Sequence, residues 1–157
     1  MGPSTISAHG HLPDESKRKG QFGLVTKKDR KEKELMEEER VMFFCTHSID
    51  NLEVAAIPFV MGAAALAMDL QADIVLQADA VYLAKKGFLE TLPSPGGFNP
   101  FPKLMSDFLE LGGKLKVCVP CIKDRNIKED DLIEEAELIA AGNLIDMGIK
   151  AKAVFTY

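Results

Sequence analysis

Beyond residue 40 the chain alternates between short, wholly apolar stretches and longer segments in which apolar residues recur every three or four positions. The first kind fits a strand buried on both faces and the second a helix with one buried face, so their alternation predicts βαβ units around a parallel sheet. VMFFCT, Val41 to Thr46, is apolar almost throughout and reads as a central strand. Asp50, followed three residues later by Glu53, reads as a capping box opening the next helix. Leu52, Ala55, Ala56, Phe59, Val60, Ala63, Ala64 and Ala67 share one face of that helix, which Pro58 is expected to kink or break. ADIVLQAD, Ala72 to Asp79, predicts a second strand, and AVYLAKKG a short helix stopped by Gly87.

The prolines and glycines of TLPSPGGFNP, residues 91–100, exclude regular structure and predict a loop, a lid or a subunit contact. A helix from about Pro102 to Leu111 turns Leu104, Phe108 and Leu111 inward and ends at Gly112 and Gly113. KLKVCV gives the third strand. Asn126, with Glu129 three residues on, predicts the cap of a long helix running to about Met147, where Gly148 stops it. Lys150 to Tyr157 closes the pattern as a fourth strand with an exposed edge. The fold expected is α/β, a three-layer αβα sandwich with a small, mainly parallel sheet. Right-handed crossovers put helices on both faces, and ligands bind at the carboxyl ends of the strands.

Residues 1–40 have a different character: Gly, Pro, Ser and His, then KKDRKEKELMEEER, which predict a flexible arm leading into a charged helix. The domain proper is expected to span 41–157, and 157 residues suit one domain. A net charge of -5 supplies no basic field, so nucleic acid is not an expected partner. The longest apolar run, Val54 to Met68, contains a proline and a glycine and falls short of the roughly 20 residues a spanning helix needs, so no membrane span is expected. The N-terminus lacks a secretory h-region, and three cysteines are an odd number. Both points predict free thiols and a cytoplasmic location.

Reactive groups fall at the ends of two predicted strands: Cys45-Thr46-His47-Ser48, and Cys118-Val119-Pro120-Cys121. Cys45 reads as core. A cysteine preceding N–H groups that point into a turn is stabilised as thiolate, and Lys123 and Arg125 are expected to lower its pKa further. His47 is a candidate to orient or deprotonate a thiol across the strand ends, and Asp79 to cap the helix after the second strand. Three readings of C-x-x-C compete. A dithiol redox motif is favoured by the intervening proline but opposed by helix signals that start at Asn126, and by the lack of an aromatic residue before Cys118. A metal site of Cys45, His47, Cys118 and Cys121 departs from the usual zinc spacing. A persulfide carrier needs only one of the two cysteines. No G-x-G-x-x-G, P-loop, G-x-S-x-G or H-E-x-x-H is present, and neither cofactor nor metal is expected.

GGKLKVCVPCIKDRNI, residues 112–127, resembles the signature of the DsrE/DsrF-like family, which includes sulfur-relay subunits of the TusD type. There a glycine-led strand ends in a cysteine, with an arginine-glycine pair a turn later. Cys118 stands at the sulfur-carrying cysteine and Arg125 at the arginine, while other relatives place a cysteine where Cys121 is. AVYLAKKGF, residues 80–88, and AKAVF in the last strand extend the resemblance from Val41 to Tyr157. Asn126 replaces the usual glycine, but asparagine tolerates a positive φ. The resemblance implies a sulfurtransferase-like carrier that takes sulfur as a cysteine persulfide from a donor protein and passes it to an acceptor, in a homo-oligomeric trimer or hexamer. Two rivals stand beside it: a non-catalytic assembly or binding module on the same fold, and a dithiol oxidoreductase using Cys118 and Cys121.

Overall fold

Five short segments pair side by side, all parallel, in the order β4-β3-β2-β1-β5. They are β1 (Arg40–Cys45), β2 (Gln71–Leu76), β3 (Lys114–Cys118), β4 (Ala136–Ile139) and β5 (Ala153–Thr156). This computed structural model describes residues 26–28, 31 and 39–157. The arm expected over 1–40 therefore lies almost wholly outside the described residues; Lys27, Lys28 and Lys31, within them, are helical and exposed.

The alternation of side chains along each strand divides the core in two. Phe43 and Cys45 of β1, Ile74 and Leu76 of β2, and Leu115 and Val117 of β3 share one core with α1 (Leu52–Ala67) and α2 (Phe101–Glu110). Met42, Val75 and Ile139 meet Leu144 in a second core on the opposite face, beneath the helix Ala141–Lys150. That helix joins β4 at one edge to β5 beside β1, reversing the direction in which the chain crosses the sheet. A right-handed crossover must then pass over the other face, which produces the third layer. In the larger core, Phe59 stands edge-on to both Phe101 and Phe108, with centroids 6.4 and 6.2 Å apart. Phe108 fills space that Gly62 and Gly113 leave free, since a Cβ at either would collide with its ring.

Four expectations are corrected. The cap of α1 is Asn51, whose Oδ1 accepts the Val54 N–H at 3.3 Å, while Asp50 instead accepts the Ser48 N–H at 2.7 Å. Pro58 sits inside α1 without breaking it, because burial of Ala55, Ala56 and Phe59 outweighs one missing backbone bond. The segment after Gln77 is a 3-10 helix, Ala78–Ala84. The long helix expected from Asn126 to Met147 does not form, and the sheet accordingly has five strands, not four. In its place the chain runs through α3 (Val119–Asp124), a 3-10 turn at Glu129–Asp131, β4, and α4 (Ala141–Lys150). Pairing of Ala136–Ile139 with Leu115–Cys118, reinforced by the Lys116–Glu137 ion pair at 2.5 Å, overrides the local helix preference of EEAELIA.

Asn126 ends α3 rather than starting a helix. Its φ is +53°, its N–H donates to the Lys123 carbonyl at 3.2 Å, and the Ile127 N–H donates to the Ile122 carbonyl at 2.9 Å. This is a Schellman termination, with Ile122 and Ile127 both buried against the core. Asn126→Ala is expected to cost about 1 kcal/mol, because alanine meets the left-handed penalty without a side chain that eases it. Urea denaturation checks this, with Asn126→Gly as the control expected to retain full stability.

Candidate functional site: a thiol pair at the strand ends

Cys118 is the last residue of β3 and the N-cap of α3, so Cys121 is the third residue of that helix. One helical turn brings N-cap and third-residue side chains together. The Cys121 thiol accordingly donates to the Cys118 sulfur at an Sγ–Sγ distance of 2.9 Å, and both cysteines are free and half-buried. Helix α3 begins directly after Cys118, with Pro120 in its first turn. That removes the objection that helix signals start only at Asn126.

The neighbouring strand supplies the second wall. After β2 the Ala78 backbone turns to φ +47°, a conformation unfavourable for alanine, and its N–H donates to Cys121 Sγ at 3.3 Å. Asp79, the next residue, does not cap its helix. Its Oδ1 accepts from Arg125 Nη2 at 2.7 Å and Nε at 2.9 Å, and Arg125 Nη1 also donates to the Cys121 carbonyl at 3.2 Å. Arg125 thus clamps the turn after β2 to the helix that carries the thiols. The Asp79 carboxylate in turn holds the guanidinium pKa above its ordinary value.

The electrostatics differ from expectation. Partial burial raises the Cys118 pKa, and its hydrogen bond with Cys121 raises it further. The Cys121 backbone N–H and lastly Arg125 pull it down without prevailing. Arg125 is engaged by Asp79, and exposed Lys123 is not among the groups that move Cys118. His47 is also set apart: its Nδ1 pairs with Asp50 Oδ2 at 2.5 Å, and it hydrogen-bonds to neither thiol. Among the described residues no three His, Cys, Asp or Glu side chains gather where they could hold a metal ion.

Cys45 is fully buried, its thiol directed at the His47 and Ala55 carbonyls, and desolvation pushes its pKa up from 9.0 to about 12. The folded state therefore holds this proton more tightly than the unfolded chain, an advantage complete below pH 9.0 and lost as the pH climbs towards about 12. Stability is expected to fall by about 1.4 kcal/mol per pH unit across that window from this group. Urea midpoints measured across the alkaline range test it, and Cys45→Ala should flatten the dependence.

Sequence reasoning missed Ala78, which acts through its backbone, and the role of Asp79. The sequence signal for the latter was a pair of opposite charges, Asp79 at the end of one predicted strand and Arg125 six residues beyond another.

Together these features define a small parallel α/β protein carrying a dithiol at the carboxyl end of its sheet. The chain belongs to the DsrE/DsrF-like family, whose sequence model matches residues 39–157. It is 36% identical over 93 residues to the uncharacterized protein MJ0989 of Methanocaldococcus jannaschii, covering 59% of this chain and 77% of the relative. A second protein of that organism, the uncharacterized MJ0760, is 30% identical over 138 residues, which are 84% of this chain but only 49% of the longer relative. The fold is shared with the ychN protein from E. coli, at a TM-score of 0.64 and 18% identity over 76% of this chain and 99% of the other. It is shared too with MTH1491 from Methanobacterium thermoautotrophicum, a protein of unknown function, at a TM-score of 0.55 and 14% identity over 75% and 98%. Among the described residues no helix is long and apolar enough to cross a membrane.

Proposed function

We propose that this protein is a sulfur-relay subunit that carries sulfur as a persulfide on Cys118, with Cys121 as its partner thiol. The observation that carries the reading is the thiol pair, 2.9 Å apart and half-exposed at the end of β3. A thiolate there attacks the outer sulfur of a donor persulfide; the donor's S–S bond breaks, the donor departs as its thiolate with that electron pair, and the sulfur stays as Cys118–S–SH. The raised Cys118 pKa lowers the thiolate fraction at neutral pH but strengthens the nucleophilicity of what remains, and Cys121 lies in place to share the proton. Family membership supports the relay, with donor and acceptor proteins as partners and a cytoplasmic location. Assembly into a homo-oligomer, a trimer or hexamer, is part of the same reading. β5 is an edge strand, and Ile145, Ile149, Val154 and Phe155 expose apolar surface beside it.

The test is intact-mass spectrometry of the native protein after incubation with a persulfide donor. One added sulfur atom is the expected result, and no added mass on a folded sample rejects the carrier. The start of α3 at Val119 favours a second reading, a dithiol oxidoreductase. A redox titration that yields no Cys118–Cys121 disulfide removes it.

A further inference from the structure

We infer that Cys121 discharges the sulfur as well as helping to hold it. Its thiolate attacks the inner sulfur of the Cys118 persulfide, closing a Cys118–Cys121 disulfide and expelling hydrosulfide. The inference rests on the persulfide reading and adds an activity to it, release of sulfide when no acceptor takes the sulfur.

The geometry selects the inner sulfur. Cys118 Sγ and Cys121 Sγ are 2.9 Å apart, closer even than the roughly 3–3.5 Å at which reacting atoms are already poised. The outer sulfur of a persulfide stands about 2 Å beyond Cys118 Sγ and is free to swing about that bond, whereas the inner one is fixed to the end of β3. The attacking atom is held as firmly. Cys121 lies in the first turn of α3, its sulfur receives the Ala78 N–H at 3.3 Å, and its carbonyl receives Arg125 Nη1 at 3.2 Å. The Arg125–Asp79 clamp holds the turn that carries the N–H against the helix that carries the thiol.

The step balances without an added reactant. The S–S bond of the persulfide breaks as the bond between the two Sγ atoms forms. The outer sulfur departs as HS⁻, keeping its proton and the electron pair of the broken bond. It is thereby reduced from sulfane sulfur to sulfide, while the two cysteine sulfurs are oxidised to the disulfide. A dithiol reductant returns the pair to the starting state.

The experiment loads the full chain with inorganic polysulfide in the absence of oxygen, removes the excess, and follows intact mass and released sulfide. Wild type, Cys121→Ser and Cys121→Ala are run in parallel. Wild type should pass from one added sulfur to a mass two hydrogens below the reduced protein, with one sulfide released per chain. Both variants should keep the added sulfur at least about tenfold longer. Equal persulfide lifetimes in wild type and variants would overturn the inference while leaving the carrier intact. Peptide mapping that finds the sulfur moved onto Cys121, with no disulfide, would overturn it too. Failure of all three proteins to gain sulfur would reject the carrier itself and the discharge with it.

Discussion

Cys118→Ser is expected to abolish sulfur uptake from a persulfide donor while leaving the fold intact. A serine hydroxyl stays protonated at any workable pH and cannot attack a sulfur atom, so the loss should be complete and not graded. The substitution is nearly isosteric at a half-buried site, where the thiol's hydrogen-bonding partner is Cys121, leaving little else to disturb. Intact mass and circular dichroism of the same sample separate lost chemistry from lost structure. Uptake equal to that of wild type would transfer the carrier role to Cys121.

Phe108→Ala should have the largest effect on stability, about 3–5 kcal/mol. The ring is fully buried, stands edge-on to Phe59, and occupies the space left by Gly62 and Gly113. Its neighbours belong to α1, α2 and the strands beneath them, which are fixed by their own hydrogen bonds and cannot close the gap. Against a typical total of about 5–15 kcal/mol, such a loss moves a urea midpoint far enough to measure directly. A change below about 1 kcal/mol would show that α1 and α2 collapse onto the space.

The central strands were readable because burial on both faces leaves unbroken apolar runs such as VMFFC, and α2 because Leu104 and Phe108 repeat at helical spacing beside a proline start. The stretch from Asn126 to Met147 was not readable. Leu132, Ala136 and Ile139 sit at intervals a helix also allows, and the choice of strand for Ala136–Ile139 is made by β3, a contact distant in sequence. An edge strand with exposed Glu137 and Leu138 lacks the apolar signature of its neighbours. At the site, both cysteines were legible as a spaced pair and Arg125 as a cation beside them, whereas the rest of their surroundings was not. The supporting roles expected of Lys123 and His47 drew on nearness in sequence, and folding placed the Arg125–Asp79 clamp and the Ala78 N–H at the thiols instead.

The placement of β5 bears on how the chain is made. β1 lies between β2 and β5, and its Val41 pairs with Ala153, so one flank of this apolar strand stays open until nearly all of the domain has left the ribosome. Parallel pairing over such a separation is slow to form. A nascent chain carrying VMFFC with a bare flank is a natural client for a chaperone that binds exposed apolar segments during synthesis.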